Sequence, residues 1–348
     1  MSLPALPRRA AYITLNNPQR RNALSLAELR SLKEQLIKYN TSPTTGRTLL
    51  LPPFKPSILS KLEQSHANLA SSSRSSSPGA SSLGADHSNN NDEDEYAWLV
   101  SARAFAHARR GLPSVLVLAA RGPVFSSGHD LRELRGLGAG QAAETFGLCA
   151  EVMGLMRRSP ALVVGRISGA AVAAGCQLAL TADLPVAHAR TPFRLPGARL
   201  GLPCSSPATA VGRRLGNARA FGMLALAEDV EARELGGAVR VVEGGDGPEE
   251  RVGLLDAEVG RVVERLVEMS PQQSAMGKWA FWTQASLTGQ DYVGADGESV
   301  EGSGGDGYQD AVEWAGRMMA LHAKSEDAKE GMDVFLEKRA PVWYGFGR

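Results

Sequence analysis

Residues 161–187, ALVVGRISGAAVAAGCQLALTADLPVA, constrain the fold of this chain more than any other stretch. The apolar run at residues 161–164, continued by Ile167 and bearing β-branched side chains, reads as a buried strand. Ser168-Gly169-Ala170-Ala171 then breaks the chain in small residues. From Ala173 through Leu178 and Leu180 the pattern is that of a short helix, and residues 184–187 start a second strand. A first helical turn of Ala-Ala-Gly lets a ligand come up to the backbone, whose leading N–H groups have no partner inside the helix. Such a corner can hold an anion or a developing negative charge. The same residues also suit a plain strand–helix corner in which small side chains only relieve crowding. They do not suit a dinucleotide-binding turn, because Gly169-Ala170-Ala171 lacks the G-x-G spacing and no acid follows at the right distance.

A second break of the same kind lies upstream. Residues 114–119, SVLVLA, form another continuous apolar strand that runs into RGPVFSSGHDL at 121–131. Two strand ends, each followed by a Gly-bearing loop and a helix start, can converge two backbone N–H groups on one carbonyl oxygen.

The pairing of VFSSGHDLREL with ISGAAVAAGCQLALTADLPVA resembles the crotonase superfamily, the enoyl-CoA hydratase/isomerase group. Further blocks agree in order: LNNPQRRNAL at 15–24, FRLPGARLGLPCSSPA at 193–208 and SEDAKEGMDVFLEKRAPVW at 325–343. The resemblance implies an α/β fold, a crotonase-type spiral of strand–strand–helix turns with a helical C-terminal trimerisation region. Residues 1–245 would form the spiral core and 246–348 the helical part. It also implies coenzyme A thioesters as substrate or ligand, no tightly bound cofactor, a homotrimer or hexamer, and a mitochondrial place in fatty-acid metabolism.

By the same resemblance the oxyanion donors are the N–H groups of His129, directly after Gly128, and of Ala174. The two glutamates of the family's hydratases fall at Gln177 and Gly197, so neither carboxylate is present. Gln177 matches Glu in shape but takes up no proton at neutral pH, and Gly197 has no side chain. General acid–base help is typically worth ~10²–10⁴-fold, so ordinary hydration is expected to be nearly abolished. Restoring glutamate at both positions is expected to return some of it. A backbone oxyanion site survives such losses, and carries over to chemistry in which enolate stabilisation is the main requirement.

Other groups are weighed on their own chemistry. His129 can offer its imidazole as a proton carrier, or pack its ring away while its amide works. Asp130 suits the cap of a helix starting at Leu131, and Asp183 suits a structural hydrogen-bond partner. Ser205 and Ser206 precede Pro207 and read as caps, although some family isomerases carry an acid at the place of Ser205. Arg199 is the strongest charge near Gly197. In the family the turn at 21–24 lies beside the pantetheine and phosphates, which assigns Arg20, Arg21 and Ala23 to coenzyme A; arginine suits phosphate. Phe335 and Lys338 would meet the adenosine-phosphate end. Read without the family, Lys338 and Arg339 suit the negative end of an amphipathic helix.

Composition narrows the remaining classes. With 348 residues, 43% of them hydrophobic and 22% charged, the chain has the balance of a globular protein with a real core. A net charge of +1 makes no demand for nucleic acid or an anionic membrane. No apolar run approaches the ~20 residues of a membrane helix. Cys149, Cys176 and Cys204 are odd in number and lack metal spacing, which fits a reducing compartment and no metal site. Residues 1–27 hold Arg8, Arg9, Arg20 and Arg21 and no acid, a transit-like bias. The strand at 11–15 nevertheless follows almost at once, so a presequence or a first strand is expected to be missing.

Along the chain, Ser25 and Glu28 form a capping-box pattern ahead of Leu26, Leu29, Leu32 and Leu36, a helix to about Tyr39. Residues 41–96 carry LLLPPFKP, SSSRSSSPGASS and SNNNDEDE, and are expected to be a disordered insertion. Helices are expected at 98–110, 141–158, 207–215, 218–226, 255–269, 272–287, 309–322 and 327–338, with a short helix and strand at 230–242. Residues 294–307, a Gly-rich acidic run, read as a flexible insertion. Two functions stay open: an acyl-CoA enzyme with altered chemistry, decarboxylation of a malonyl-type thioester above all, or a non-catalytic acyl-CoA-binding regulator. A serine hydrolase on Ser127 or Ser205 is poorly supported, because no His–acid pair accompanies either.

Overall fold

The apolar runs become parallel strands. β1 (Ala10–Leu15), β2 (Val115–Ala120), β3 (Leu162–Ile167), β5 (Leu184–His188) and β8 (Arg240–Val242) form a five-stranded sheet in the order β1-β2-β3-β5-β8. Every pairing in it is parallel, with Tyr12 opposite Val117 and Val117 opposite Val164. Parallel neighbours need crossovers, and helices such as Leu26–Asn40 and Ala139–Arg158 supply them. β2 is buried throughout, as expected for a strand covered on both faces. The computed structural model describes residues 3–74, 95–288, 290–293, 297–301, 317 and 325–344.

A second, smaller sheet explains the spiral. β4 (Ala171–Val172) follows β3 directly and β6 (Pro192–Arg194) follows β5, and β4 and β6 pair in parallel. β7 (Asp229–Glu231) closes this sheet antiparallel to β6. After β2 the chain makes the equivalent step, where Ser126 forms a parallel bridge to Ala171. Each turn therefore contributes one strand to the main sheet and one short strand to the second before entering a helix. This is the expected strand–strand–helix spiral.

The chain divides into two units, Met1–Thr41 with Leu112–Glu268, and Ser42–Gly111 with Met269–Arg348. The boundary expected at residue 245 therefore moves. The helix Pro248–Val267 belongs to the sheet unit, because Leu255, Val259, Val262, Val263 and Val267 form one apolar cluster with Val115, Val117, Val164 and Val186. Burial of each such side chain is worth about 1.5–3 kcal/mol.

The expectation that residues 41–96 are disordered also needs correction. Ile58–Arg74 is a helix, and Leu49, Leu51, Leu59 and Leu62 share a core with Trp98, Phe105, Met276 and Trp279. Trp279 Nε1 donates to Pro53 O at 3.1 Å, which fixes the proline-rich run against the helix Pro271–Gln284. The apolar residues of LLLPPFKP and of the 58–62 turn outweigh the low-complexity tract that follows them. Residues 75–94, which hold most of that tract, lie outside the described residues, as does all of the helix expected at 309–322 except Arg317. Of the insertion expected at 294–307, residues 297–301 are described, and Ser299–Val300 pairs antiparallel with Tyr292–Val293. No helix of the described residues is long and apolar enough to cross a membrane.

Candidate active site

Two loops of the sheet unit interlock at the strand ends. Ser126 N donates to Ala170 O at 3.2 Å and Val172 N donates to Ser126 O at 2.9 Å. Gly128 has φ +83°, and a Cβ there would stand 2.9 Å from Val172 O and 3.3 Å from Ala174 N. A Cβ on Gly175 would stand 2.6 Å from Ser126 O. Backbone thus packs on backbone, and glycine is required for the approach. The junction brings the residue after Gly128 beside the start of the helix Ala174–Thr181. Among the described residues no backbone hydrogen bond runs from the N–H of His129 or of Ala174. An oxyanion site would require such donors without an acceptor inside the fold.

Ala173, which leads into that helix, has φ 50° and ψ −120°. This is the first central position of a type II′ turn, where glycine is normal. Holding alanine there costs about 1–3 kcal/mol, so the surrounding hydrogen bonds must over-determine the turn. One of them is Ala173 N to Arg194 O at 2.9 Å.

The turn at 17–24 buttresses the first loop. Asn22 is wholly buried, accepts from Asn17 N at 2.8 Å, and donates to Arg121 O and Val124 O at 2.8 Å each. Ser126 Oγ donates to Asn22 O at 2.8 Å, Ser127 N to Arg21 O at 3.0 Å and Leu24 N to Gly128 O at 2.7 Å. Neither Asn22 nor Ser126 stood out in the sequence as a support; the Asn-Ala-Leu turn was the available signal. Arg20 pairs with Asp130 at 2.9 Å, and Asp130 caps the helix Leu131–Leu134 through Arg132 N and Glu133 N, as expected. Arg21 is exposed and Ala23 is buried. Of the two arginines assigned to coenzyme A, Arg20 already holds a carboxylate.

The His129 ring turns to structure. Its Nδ1 lies 3.4 Å from Leu24 O, and the ring meets Phe146 edge-on with centroids 4.9 Å apart. Burial pushes its pKa below the usual histidine value, against smaller upward pulls from Leu24 O and Glu133.

At 177 and 197, where the resemblance sets the two glutamates, the structure distinguishes positions that the sequence treats alike. Gln177 is buried, and its Oε1 lies 3.4 Å from Ser206 Oγ, a long contact. Gly197 sits in the turn Pro196–Leu200, where a Cβ would stand 2.0 Å from Leu202 O and 2.8 Å from Cys204 Sγ. Any side chain introduced at 197 therefore forces the turn to move. Ser205 is exposed, and the helix Ser205–Leu215 starts at Cys204 without any side-chain cap, which corrects the capping role expected for both serines. Arg199 is exposed. Asp183 is structural as expected, accepting from Val163 N at 2.8 Å. Burial raises the Cys176 thiol to about 12, with a further push from Cys204 and an opposing hydrogen bond from the Arg194 backbone, so it is an inert core residue.

Phe335 and Lys338 belong to the other unit, on and directly after the helix Glu326–Glu337. Lys338 is exposed and caps that helix with φ 54°, while Arg339 pairs with Glu330 at 2.7 Å and with Glu337. The described residues contain no group of three or more His, Cys, Asp or Glu side chains that could hold a metal ion.

The enoyl-CoA hydratase/isomerase family profile matches residues 102–303. The mitochondrial enoyl-CoA hydratase domain-containing protein 3 of Rattus norvegicus is 36% identical over 233 residues, 66% of this chain and 69% of its own length. Its Homo sapiens counterpart is 34% identical over 232 residues, 66% of this chain and 68% of that protein. These are the branch to which the wording GHDL, AAGCQL and GLPCSSP points. Among solved structures, an enoyl-CoA hydratase of Mycobacterium smegmatis superposes with a TM-score of 0.65 at 29% identity, covering 98% of this chain and 97% of that one. The human domain-containing protein 3 superposes with a TM-score of 0.66 at 25% identity, covering 97% and 98%. This chain belongs to the enoyl-CoA hydratase/isomerase family and has its crotonase fold.

Proposed function

We propose that the protein binds acyl-CoA thioesters with the carbonyl oxygen at the His129 and Ala174 N–H groups, and that it does not hydrate enoyl-CoA at a rate typical of its family. The carrying observation is the interlocked corner, where a Cβ on Gly128 would stand 3.3 Å from Ala174 N and neither N–H has a backbone acceptor among the described residues. The second half of the reading rests on Gln177, a neutral amide beside Ser206, and on Gly197, which has no room for a side chain. Neither can activate water.

A reaction that needs only the corner is decarboxylation of a malonyl-type thioester. The C–C bond to the carboxylate breaks, its electron pair moves into the enolate, carbon dioxide leaves, and water protonates the α-carbon. The two N–H groups stabilise the enolate oxygen, and neither Gln177 nor Gly197 sets a carboxylate against the substrate's own. The alternative is a binding protein without turnover, favoured by the His129 ring being occupied by Leu24 O and Phe146. Arg20, Arg21 and Ala23 are proposed for the pantetheine and phosphate region, with Phe335 and Lys338 for the adenosine end. A mitochondrial location rests on the names of the relatives, and a homotrimer or hexamer on the block at 325–343.

Calorimetric titration with a non-hydrolysable acyl-CoA and a crotonyl-CoA hydration assay, on one preparation, test the first claim. Binding without hydration is expected. Rapid hydration overturns the reading of 177 and 197, and absence of binding overturns the ligand. Loss of a malonyl-type thioester under saturating protein then separates decarboxylation from binding alone.

A further inference from the structure

A cavity of about 440 Å³ lies at the carboxyl ends of three neighbouring parallel strands of the sheet unit. Residues 120–123 line it at the end of β2, Ile167, Ser168 and Gly169 at the end of β3, and His188, Arg190, Thr191 and Pro192 at the end of β5. It shares no lining residue with the corner at His129 and Ala174, nor with Gln177 or Ser206. In open parallel sheets this end is where ligands are commonly received.

Its charge is one-sided. Arg121, Arg166, Arg190 and Arg251 line it, and no carboxylate does. Arg166 is only 5% exposed and is compensated by Asp256 at 2.5 Å. Arg251 is oriented by two backbone carbonyls, Gly245 O and Asp246 O, at 3.0 Å each, which position its guanidinium without neutralising it. Among the described residues no ion pair compensates Arg121, Arg190 or Arg251. Asp246, Glu249 and Glu250 are exposed near the start of the helix Pro248–Val267 and do not line the cavity; Glu250 accepts from Asp246 N. His188 is held as the Nε2–H tautomer, donating to Gly244 O at 2.7 Å while Nδ1 accepts from Arg190 N at 3.2 Å. Ile167, Val252 and Leu255 give the remaining wall an apolar surface.

We propose that this cavity is a second binding site, for a small organic dianion whose charged head, a phosphate monoester or a paired carboxylate, is gripped by the arginines. Guanidinium forks match both heads bidentately. The apolar wall receives the body of the ligand, and the volume suits a small molecule.

Calorimetry on the full chain at low salt tests it with phenyl phosphate and phthalate as probes and benzyl alcohol as the uncharged control. At least one dianion is expected to bind, the alcohol not at all. The double variant Arg121→Gln/Arg190→Gln, both exposed side chains, should weaken binding about tenfold or more. Arg21→Gln, in the proposed coenzyme A region, should leave it unchanged. The two dianions compared with each other identify the head. Silence of both, an unchanged affinity in the double variant, or loss in Arg21→Gln instead, each overturns the proposal.

Discussion

The corner at Gly128 and Ala174 and the positions 177 and 197 lie in the same unit, yet chemistry constrains them differently. The proposed role of the corner needs only backbone N–H groups, which any residue but proline supplies. Ala173, Ala174 and His129 can therefore stand in it, provided the loops keep their approach. The role that the resemblance gives to 177 and 197 needs carboxylates, and Gln and Gly supply none. The two positions also differ from one another. Position 177 retains a side chain of glutamate shape beside Ser206, whereas the chain at 197 has closed on itself around Leu202 O and Cys204. Side-chain chemistry is thus open to single substitutions, whereas a backbone corner depends on the packing of its loops.

The largest effect is expected where packing has closed. Gly197→Glu forces a Cβ to 2.0 Å from Leu202 O, so the turn must move. We expect a loss of about 3 kcal/mol or more in urea unfolding and no gain of hydratase activity, alone or with Gln177→Glu. A stable, hydrating double variant would erase the distinction between the two positions. Next in size is Gly128→Ala, which combines φ +83° with contacts of 2.9 Å to Ala173 Cβ and Val172 O. It should cost roughly 2–3 kcal/mol, and acyl-CoA affinity should fall as the two loops are pushed apart. Unchanged affinity would mean that the corner does not hold the thioester.

Ala173→Gly should act in the opposite direction. The backbone at φ 50°, ψ −120° suits glycine, so the substitution removes local strain while freeing the unfolded chain. The strain term is the larger, and a net gain of about 1 kcal/mol in thermal or urea unfolding is expected. A loss of stability would show that the Ala173 methyl packs well enough to outweigh the strain.

What could be read from the sequence follows the same division. The strands at 114–119 and 161–167, the helix after Ala173 and the Gly-bearing breaks were all legible, because each is set by local periodicity and by residues without side chains. The support behind them was not. Asn22 is isolated in the sequence, and its partners Arg121 and Val124 lie far along the chain, so only the fold gives it meaning. The packing around Gly197 was hidden for the same reason, since a glycine in the sequence tells of an absent side chain and not of a filled space. In residues 41–74 composition misled: a serine-rich tract lay beside leucines whose partners, Trp98 and Trp279, are supplied by distant segments.

The smallest effect concerns the side chain at the corner rather than its backbone, and separates the two roles of His129. Burial holds the imidazole below the usual pKa of 6.5, so the folded state favours the neutral ring. Between the unfolded and folded values the unfolded chain binds more protons, and stability therefore rises with pH. The contribution is fully present above the unfolded value and is lost as pH falls towards and through the folded one. Melting temperatures of the wild type should thus decline more steeply with acidification below about pH 6.5 than those of His129→Leu, which has no ring to protonate. The backbone N–H remains in the variant, so acyl-CoA binding at neutral pH should persist. Parallel melting curves would remove the ring from this pH dependence, and lost binding with an intact fold would give it a part in holding the ligand.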